Sequence, residues 1–301
     1  MADLDLALAD LVALELFVEA VDSGSLSAAA RRRRISQPAA SESLRRLERR
    51  LGVTLLVRGP RGSQPTAEGE RLVAKARDVL GALARFVAEA DAARSGVGSQ
   101  LRVAASYTNA EYVLPAHIVE FGRRHPDVAV RLTVANSDEV ATMLRAGQAD
   151  VGFIEGPVDL SELRARRVGR DELAVVVAPR HRWARRGPMT VADLAATPLL
   201  LRERESGTRR TYEAAVARAG HQVAEPYGVM TSTEALKAAV RAGLGATVVS
   251  RLTVQEELTK GTLVDVPVAG INLTRELRAV WPAGRRNAGV GELVRAVAAT
   301  G

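Results

Sequence analysis

Residues 23–48 read Ser23-Gly24-Ser25-Leu26-Ser27-Ala28-Ala29-Ala30-Arg31-Arg32-Arg33-Arg34-Ile35-Ser36-Gln37-Pro38-Ala39-Ala40-Ser41-Glu42-Ser43-Leu44-Arg45-Arg46-Leu47-Glu48. The stretch contains two helix starts joined by one tight connection. Ser27 is placed to cap a short helix from Ala28 to about Arg33, in which Ala29 and Ala30 permit close helix contact. Arg34-Ile35 makes the connection. Ser36 caps the next helix, and Pro38 sits in its first turn, where a missing N–H costs nothing. Leu44, Leu47 and Leu51 form that helix's apolar stripe, and Gly52 ends it. Upstream, Leu14, Phe17, Val18 and Val21 recur at three- and four-residue spacing, which predicts an amphipathic helix over about residues 10–22.

Two short helices around a tight turn, the second opening on small polar residues, describe a helix-turn-helix. The first turns of the second helix must present hydrogen-bonding side chains to base edges in a major groove. Ser36, Gln37, Pro38, Ser41, Glu42 and Ser43 occupy those turns, with Gln37 suited to adenine N6/N7. Arg31, Arg34 and Arg45 flank them and suit phosphates, which position without reading sequence. Val53 to Arg58 and the Gly59-Pro60 and Gly62 turn then read as a β-wing, whose Arg58 and Arg61 can reach backbone or minor groove.

The charge map agrees. Residues 1–22 carry six acids and no Lys or Arg, whereas residues 23–61 carry ten arginines against Glu42 and Glu48. The formal +7 of the whole chain is therefore concentrated at the helix-turn-helix, as an anionic partner such as double-stranded DNA requires. With 301 residues, 47% hydrophobic and 26% charged, the chain has the composition of a multi-domain globular protein. Zero cysteines exclude disulfides, thiolate zinc sites and cysteine nucleophiles. Asp3, Asp5 and Asp10 stand where an export signal needs a basic and then an apolar segment, so a cytoplasmic location without membrane association is expected.

Residues 14–69 resemble the winged helix-turn-helix of LysR-type transcriptional regulators. The resemblance is carried by Phe17-Val18, Gly24-Ser25-Leu26-Ser27-Ala28-Ala29-Ala30, Ser36-Gln37-Pro38-Ala39, Ser41, Leu44-Arg45-Arg46-Leu47-Glu48 and Leu51-Gly52-Val53. Leu55, Arg58, Thr66 and Gly69 complete it. The chain departs from the family pattern at Arg33, usually a buried leucine, and at Ala40, Leu56, Pro65 and Ala67-Glu68-Gly69. The stem of Arg33 is expected to lie on the core with its charge outside.

From Thr66 to about Arg94 runs one helical pattern with Leu72, Ala76, Val79, Leu80, Leu83, Phe86, Val87 and Ala90 on a stripe. Such a stripe calls for a partner: a second subunit through coiled pairing, or the chain's own C-terminal domain. The resemblance implies the former, with pairs of dimers, hence tetramers, on bent operators. Ser95-Gly96-Val97-Gly98-Ser99 reads as a hinge.

Beyond it, strands near 101–105, 129–134, 151–154, 164–168, 173–177 and 246–249 alternate with helices near 110–124, 138–146, 191–196, 208–219 and 233–242, which argues α/β with mostly parallel sheets. The expected organisation is a winged helix-turn-helix in 1–65, a linker helix and hinge in 66–99, and an α/β effector domain in 100–301. By resemblance that domain is two-lobed, like a periplasmic solute-binding protein, with lobe I about 100–166 and 270–301 and lobe II about 167–269.

Ser106 and Thr108, Ser206 to Arg209, and Thr231 each precede a predicted helix, where free N–H groups and the dipole favour an anion. Each hydroxyl also suits plain helix capping. Together Ser106, Thr108, Ser206, Thr208, Arg209 and Thr231 mark a candidate seat for a small anionic metabolite, with Arg209 as a bidentate clamp. No protein cofactor, metal or catalytic residue is expected. His117, His125, His181 and His221 form no metal-spaced pair, and Gly243-Leu244-Gly245 lacks the third glycine of a dinucleotide motif. An enzyme is therefore the weaker reading, and a solute-binding protein leaves residues 10–69 unexplained. A ligand-responsive DNA-binding regulator accounts for both halves.

Overall fold

The computed structural model describes residues 11–59, 62–95, 100–283 and 288–300. Pro60 and Arg61 of the expected wing, and Gly96 to Ser99 of the expected hinge, lie outside the described residues. The chain divides into two compact units, Met1–Asp91 with Arg145–Gln148, and Ala92–Leu144 with Ala149–Gly301.

The first unit opens with α1 (Leu11–Ser23), α2 (Leu26–Arg32) and α3 (Gln37–Leu51). Ser25, not Ser27, caps α2. Gly24 turns the chain at φ +64, which leaves Ser25 extended with its hydroxyl accepting the Ala28 N–H. The helix thus begins two residues earlier than expected and Ser27 is exposed. Arg34, at φ +57, makes the tight connection. Ser36 caps α3 by accepting the Ala39 N–H, and Gly52 ends it in the left-handed region. Ala29, Ala30 and Ala40 are buried where the three helices meet, around Leu16, Phe17, Leu26, Leu44 and Leu47. Burying each of the large side chains contributes about 1.5–3 kcal/mol. Arg33 is held by Glu15 at 2.6 Å and Glu19 at 2.8 Å, so the departure from a family leucine becomes a bridge from the turn back to α1.

The wing is the hairpin β1 (Leu56–Gly59) and β2 (Gly62–Pro65), in register from Leu56↔Pro65 to Gly59↔Gly62. Two contacts anchor it. The Glu48 carboxylate accepts the N–H groups of Leu55 at 2.7 Å and Leu56 at 3.2 Å, and the Ser63 N–H donates to the Gly24 carbonyl at 2.9 Å. A Cβ at Gly62 would lie 2.3 Å from that carbonyl, so only glycine permits the approach. The linker helix α4 (Ala67–Ser95) follows, its first turn capped by the Thr66 hydroxyl. Its 29 residues span about 43 Å at ~1.5 Å per residue. Leu72, Val73, Ala76 and Leu80 pack on the helix-turn-helix core, whereas Val79, Leu83, Phe86 and Val87 stay exposed.

The second unit is α/β and two-lobed. In lobe I, β3 (Gln100–Ala105) lies between β4 (Ala129–Val134) and β5 (Val151–Glu155), parallel to both. A π-helical turn (Asn109–Val113) and α5 (Leu114–Arg124) follow β3, so the single helix expected over 110–124 is interrupted at its start. After β4 comes α6 (Ser137–Arg145). The segments 164–168 and 173–177 are one continuous strand, β6 (Leu163–Val177), which passes from one lobe to the other.

Lobe II then adds β7 (Met189–Thr190), α7 (Val191–Ala195), β8 (Leu200–Leu201), α8 (Gly207–Arg218), β9 (Gly228–Val229) and α9 (Thr233–Arg241). It continues through β10 (Ala246–Ser250), α10 (Arg251–Thr259), β11 (Val264–Asp265) and β12 (Val268–Ala269). The chain returns by β13 (Thr274–Pro282) and ends in α11 (Ala288–Ala298). The strand order is β4-β3-β5-β13-β6-β10-β8-β9. Because β13 runs antiparallel to β5 and β6, and β10 antiparallel to β6, the sheets are mixed rather than mostly parallel. Along the second half of β6 the side chains alternate between two cores, Leu173, Val175 and Val177 facing one and Ala174 and Val176 the other. Both faces of the sheet are therefore covered.

Candidate DNA-reading face and effector cleft

Helix α3 buries Ala40, Ser41, Ser43, Leu44 and Leu47. Ser41 and Ser43 are thus on the packed side, at 5% and 9% exposure, a placement the helical period imposes once Leu44 and Leu47 define the core stripe. Ser36, Pro38 and Glu42 are exposed and Gln37 is half-buried at the first turn. Arg31 and Arg34 are exposed on α2 and the turn, and Arg45 on α3. Arg61 lies outside the described residues. Arg58 is in β1 by its backbone, and its side chain is outside the described set. Glu42 is not free on this face: it pairs with Arg49 at 2.9 Å and Arg45 at 3.5 Å, and the Arg49 hydrogen bond holds its carboxyl below the usual range. The outward face of α3 therefore offers an amide, a carboxylate and several guanidiniums.

In the second unit, three of the six expected effector residues converge. The Ser106 hydroxyl donates to Glu155 Oε2 at 2.7 Å and the Thr108 hydroxyl to Oε1 at 3.0 Å. The Asn109 amide donates to the same carboxylate at 3.2 Å and to Ser106 Oγ at 2.8 Å. Arg275, at the start of β13, donates to Thr208 Oγ1 at 3.0 Å and Thr108 Oγ1 at 3.2 Å. It also pairs with Asp171 at 2.7 Å and Glu155 at 3.4 Å. Asp171 accepts the Ser250 hydroxyl at 2.9 Å. All of these side chains are buried. Thr108 and Glu155 belong to lobe I and Thr208 to lobe II, so one guanidinium ties the two lobes where β6 and β13 cross between them.

The other three behave differently. Ser206 is buried at the start of α8, and its side chain makes no capping bond. Arg209 is also buried, but its guanidinium is committed to Glu213 at 2.6 Å and to the Arg202 carbonyl at 3.1 Å, so it is no free clamp. Thr231 is exposed and apart from the network. Around them the lobes also meet through Arg202, stacked 4.5 Å from the Tyr107 ring, through the Arg210–Asp138 pair, and through Tyr112 donating to Glu234.

Residues 11–70 match the bacterial regulatory helix-turn-helix protein, lysR family, and residues 94–301 match the LysR substrate binding domain. The chain belongs to the LysR family of transcriptional regulators. This regulator is 38% identical over 293 residues to the uncharacterized HTH-type transcriptional regulator Rv2282c of Mycobacterium tuberculosis (strain ATCC 25618 / H37Rv), with 91% of each chain covered. It is 36% identical over 272 residues to the uncharacterized HTH-type transcriptional regulator YeiE of Escherichia coli (strain K12), covering 89% and 88%. Among solved structures, an H2O2-bound mutant of Corynebacterium glutamicum OxyR aligns with a TM-score of 0.58 at 25% identity, covering 96% and 93%. The family and these relatives are transcriptional regulators, not enzymes.

Glu155, Asp171, Asn109, Arg275 and Ser250 are absent from the expected site, although they hold the regulator's lobes together. One signal was present: Glu155 ends Val151-Gly152-Phe153-Ile154-Glu155, a run buried throughout. A carboxylate terminating so apolar a strand needs internal donors. For Arg275 and Asp171 no local pattern exists, because their meeting depends on the pairing of β13 with β6.

Proposed function

We propose that this regulator binds its DNA site through α3 and the wing and responds to a small anionic metabolite seated between the two lobes. The functional division is the one expected from sequence, with 1–65 for DNA, 66–99 as linker and 100–301 as sensor. On the DNA, Ser36, Gln37, Pro38 and Glu42 read bases, while Arg31, Arg34, Arg45, Arg58 and Arg61 hold the backbone. The exposed Val79, Leu83, Phe86 and Val87 stripe of α4 joins two subunits, and pairs of dimers assemble on a bent site. The protein works in the cytoplasm.

The observation that carries the effector reading is the convergence of Ser106, Thr108 and Thr208 on one buried place where the lobes meet, the Ser106 and Thr108 hydroxyls donating there from lobe I and Arg275 donating to Thr208 of lobe II. The H2O2-bound OxyR is a solved relative of the same fold holding a small molecule. An effector shifts the DNA-bound assembly only by binding one lobe arrangement better than the other, and a tenfold bias needs ~1.4 kcal/mol.

Two measurements test this. Gln37→Ala should cost about 1–3 kcal/mol on the regulator's own site and little on random DNA, so equal losses on both remove Gln37 from the reading set. Footprinting of the bound promoter with a panel of carboxylates, phosphates and sulfonates should reveal an anion that changes the protected span. A footprint unchanged by every member, at concentrations that saturate no site in calorimetry, refutes the effector reading.

A further inference from the structure

We propose that Glu155 is the cleft's own ligand: its carboxylate fills the anion seat between the lobes, holds them together without effector, and gives way when an anionic effector takes its place. The proposal rests on the effector reading above and adds how that site is regulated.

The donors that recommend this place for an anion already hold one. Glu155 receives the Ser106 hydroxyl and Asn109 amide on one oxygen, and the Thr108 hydroxyl and Arg275 guanidinium on the other. The seat is closed on the lobe II side as well. Gly207, the first residue of α8, sits so close that a Cβ there would lie 2.3 Å from the Glu155 carbonyl and 2.9 Å from its Cγ. The first residue of the longer helix of lobe II therefore packs directly against Glu155. Arg275 completes the closure by donating to Thr208 across the lobe boundary.

An incoming carboxylate or phosphate needs these same donors. Two anions on one donor set repel, so the effector and Glu155 exclude each other. When Glu155 leaves, Arg275 loses a lobe I partner, and the Gly207 contact with the end of β5 is no longer enforced. In the wild type the displaced Glu155 side chain and its charge must still be accommodated between the lobes, so effector binding loosens them. An anion entering a seat from which that side chain has been removed instead restores the closed arrangement. Apparent affinity is lowered by the small fraction of molecules in which the seat is vacant.

Removal of the internal ligand tests this directly. Glu155→Ala leaves the donor set without its carboxylate, and sodium formate supplies the same group from solution. Calorimetry should show formate binding the Glu155→Ala protein at least tenfold more tightly than the wild type. The chain has no cysteine, so Val119→Cys in lobe I and Val229→Cys in lobe II, both exposed, can carry a pair of spin labels. Their separation should lengthen and broaden in Glu155→Ala and return to the wild-type value with formate. If Glu155→Ala does not fold, Glu155→Gln serves: an amide cannot accept from all four donors, so the separation should lengthen and not respond to formate.

Equal formate affinity in the two proteins, or an unchanged separation in Glu155→Gln, overturns the proposal. A metabolite anion that alters the DNA footprint of wild type and Glu155→Ala at the same concentration refutes displacement and leaves the effector reading intact. Formate that fills the variant, with no anion changing the wild-type footprint, retains the seat and refutes the effector reading instead.

Discussion

Replacing Arg275 by methionine should bring the effector domain close to unfolding. The Arg275 side chain is 2% exposed, and its partners Asp171 and Glu155 are 1% and 5% exposed, so solvent cannot take over its role. Deleting one member of a buried ion pair leaves an uncompensated charge and typically costs about 3–5 kcal/mol. Here two carboxylates lose their cation together, and Thr108 and Thr208 each lose a donor worth roughly 1 kcal/mol. Because these groups form one network the losses do not add, and about 4–5 kcal/mol is expected.

Domains are stable by about 5–15 kcal/mol, so this is a large share. The assay is urea unfolding followed by tryptophan fluorescence. Trp183 and Trp281, the two tryptophans of the chain, lie in lobe II and lobe I, so the signal reports the effector domain without the DNA-binding domain. With a slope of roughly 2–3 kcal/mol per molar urea, the midpoint should fall by about 1.5–2.5 M. Asp171→Asn added to Arg275→Met should recover at least ~1 kcal/mol, since it removes one of the two stranded charges. A midpoint within about 0.3 M of wild type for Arg275→Met would mean that water reaches these charges and that the crossing strands do not seal the network.

Glu42→Ala releases Arg45 and Arg49 from their carboxylate. Non-specific DNA affinity should then rise and its salt slope steepen by up to ~0.9 for each new phosphate contact, read by fluorescence anisotropy between about 50 and 200 mM salt. On the regulator's own site, where Glu42 reads a base, the same substitution should cost about 1–3 kcal/mol, and an unchanged affinity there removes Glu42 from the reading set. In lobe II, Lys237 is buried against Glu257 at 2.8 Å and Glu234 at 2.7 Å. Burial pushes the Glu257 carboxyl up, but the hydrogen bond and charge of Lys237, with the Arg241 charge, outweigh it and leave it below its ordinary 4.5. A depressed carboxyl stabilises the fold fully above that ordinary value and loses its contribution as pH falls through the folded value. The urea midpoint of the wild type should therefore drop below about pH 4.5 more steeply than that of Glu257→Gln, and parallel profiles would remove Glu257 from the pH dependence.

Local chemistry and period determined the first unit. Capping by Ser36, the left-handed Gly52, and the stripe of Leu44 and Leu47 involve neighbours within a turn or two of helix, and such interactions leave spacing rules in the sequence. The same locality placed Ser106, Thr108 and Thr208 at helix or turn starts. Its reach ends quickly: local pattern puts the cap of α2 at Ser27, whereas Gly24, by turning the chain, makes Ser25 the cap. Ser41 and Ser43 were polar residues in a reading position, yet the packing of three helices turned them inward.

Tertiary structure alone decided the centre of the sensor. Arg275 meets Asp171 across 104 residues and Thr108 across 167. No spacing rule spans such distances. The meeting follows from β13 returning antiparallel to both β5 and β6, which brings charges from three strands to one dry crossing. The sequence by itself therefore supplied the hydroxyls of Ser106, Thr108 and Thr208 but no signal for the Asn109 and Arg275 donors that complete the set. Only the folded chain, by pairing those strands, put the protein's own carboxylate among them.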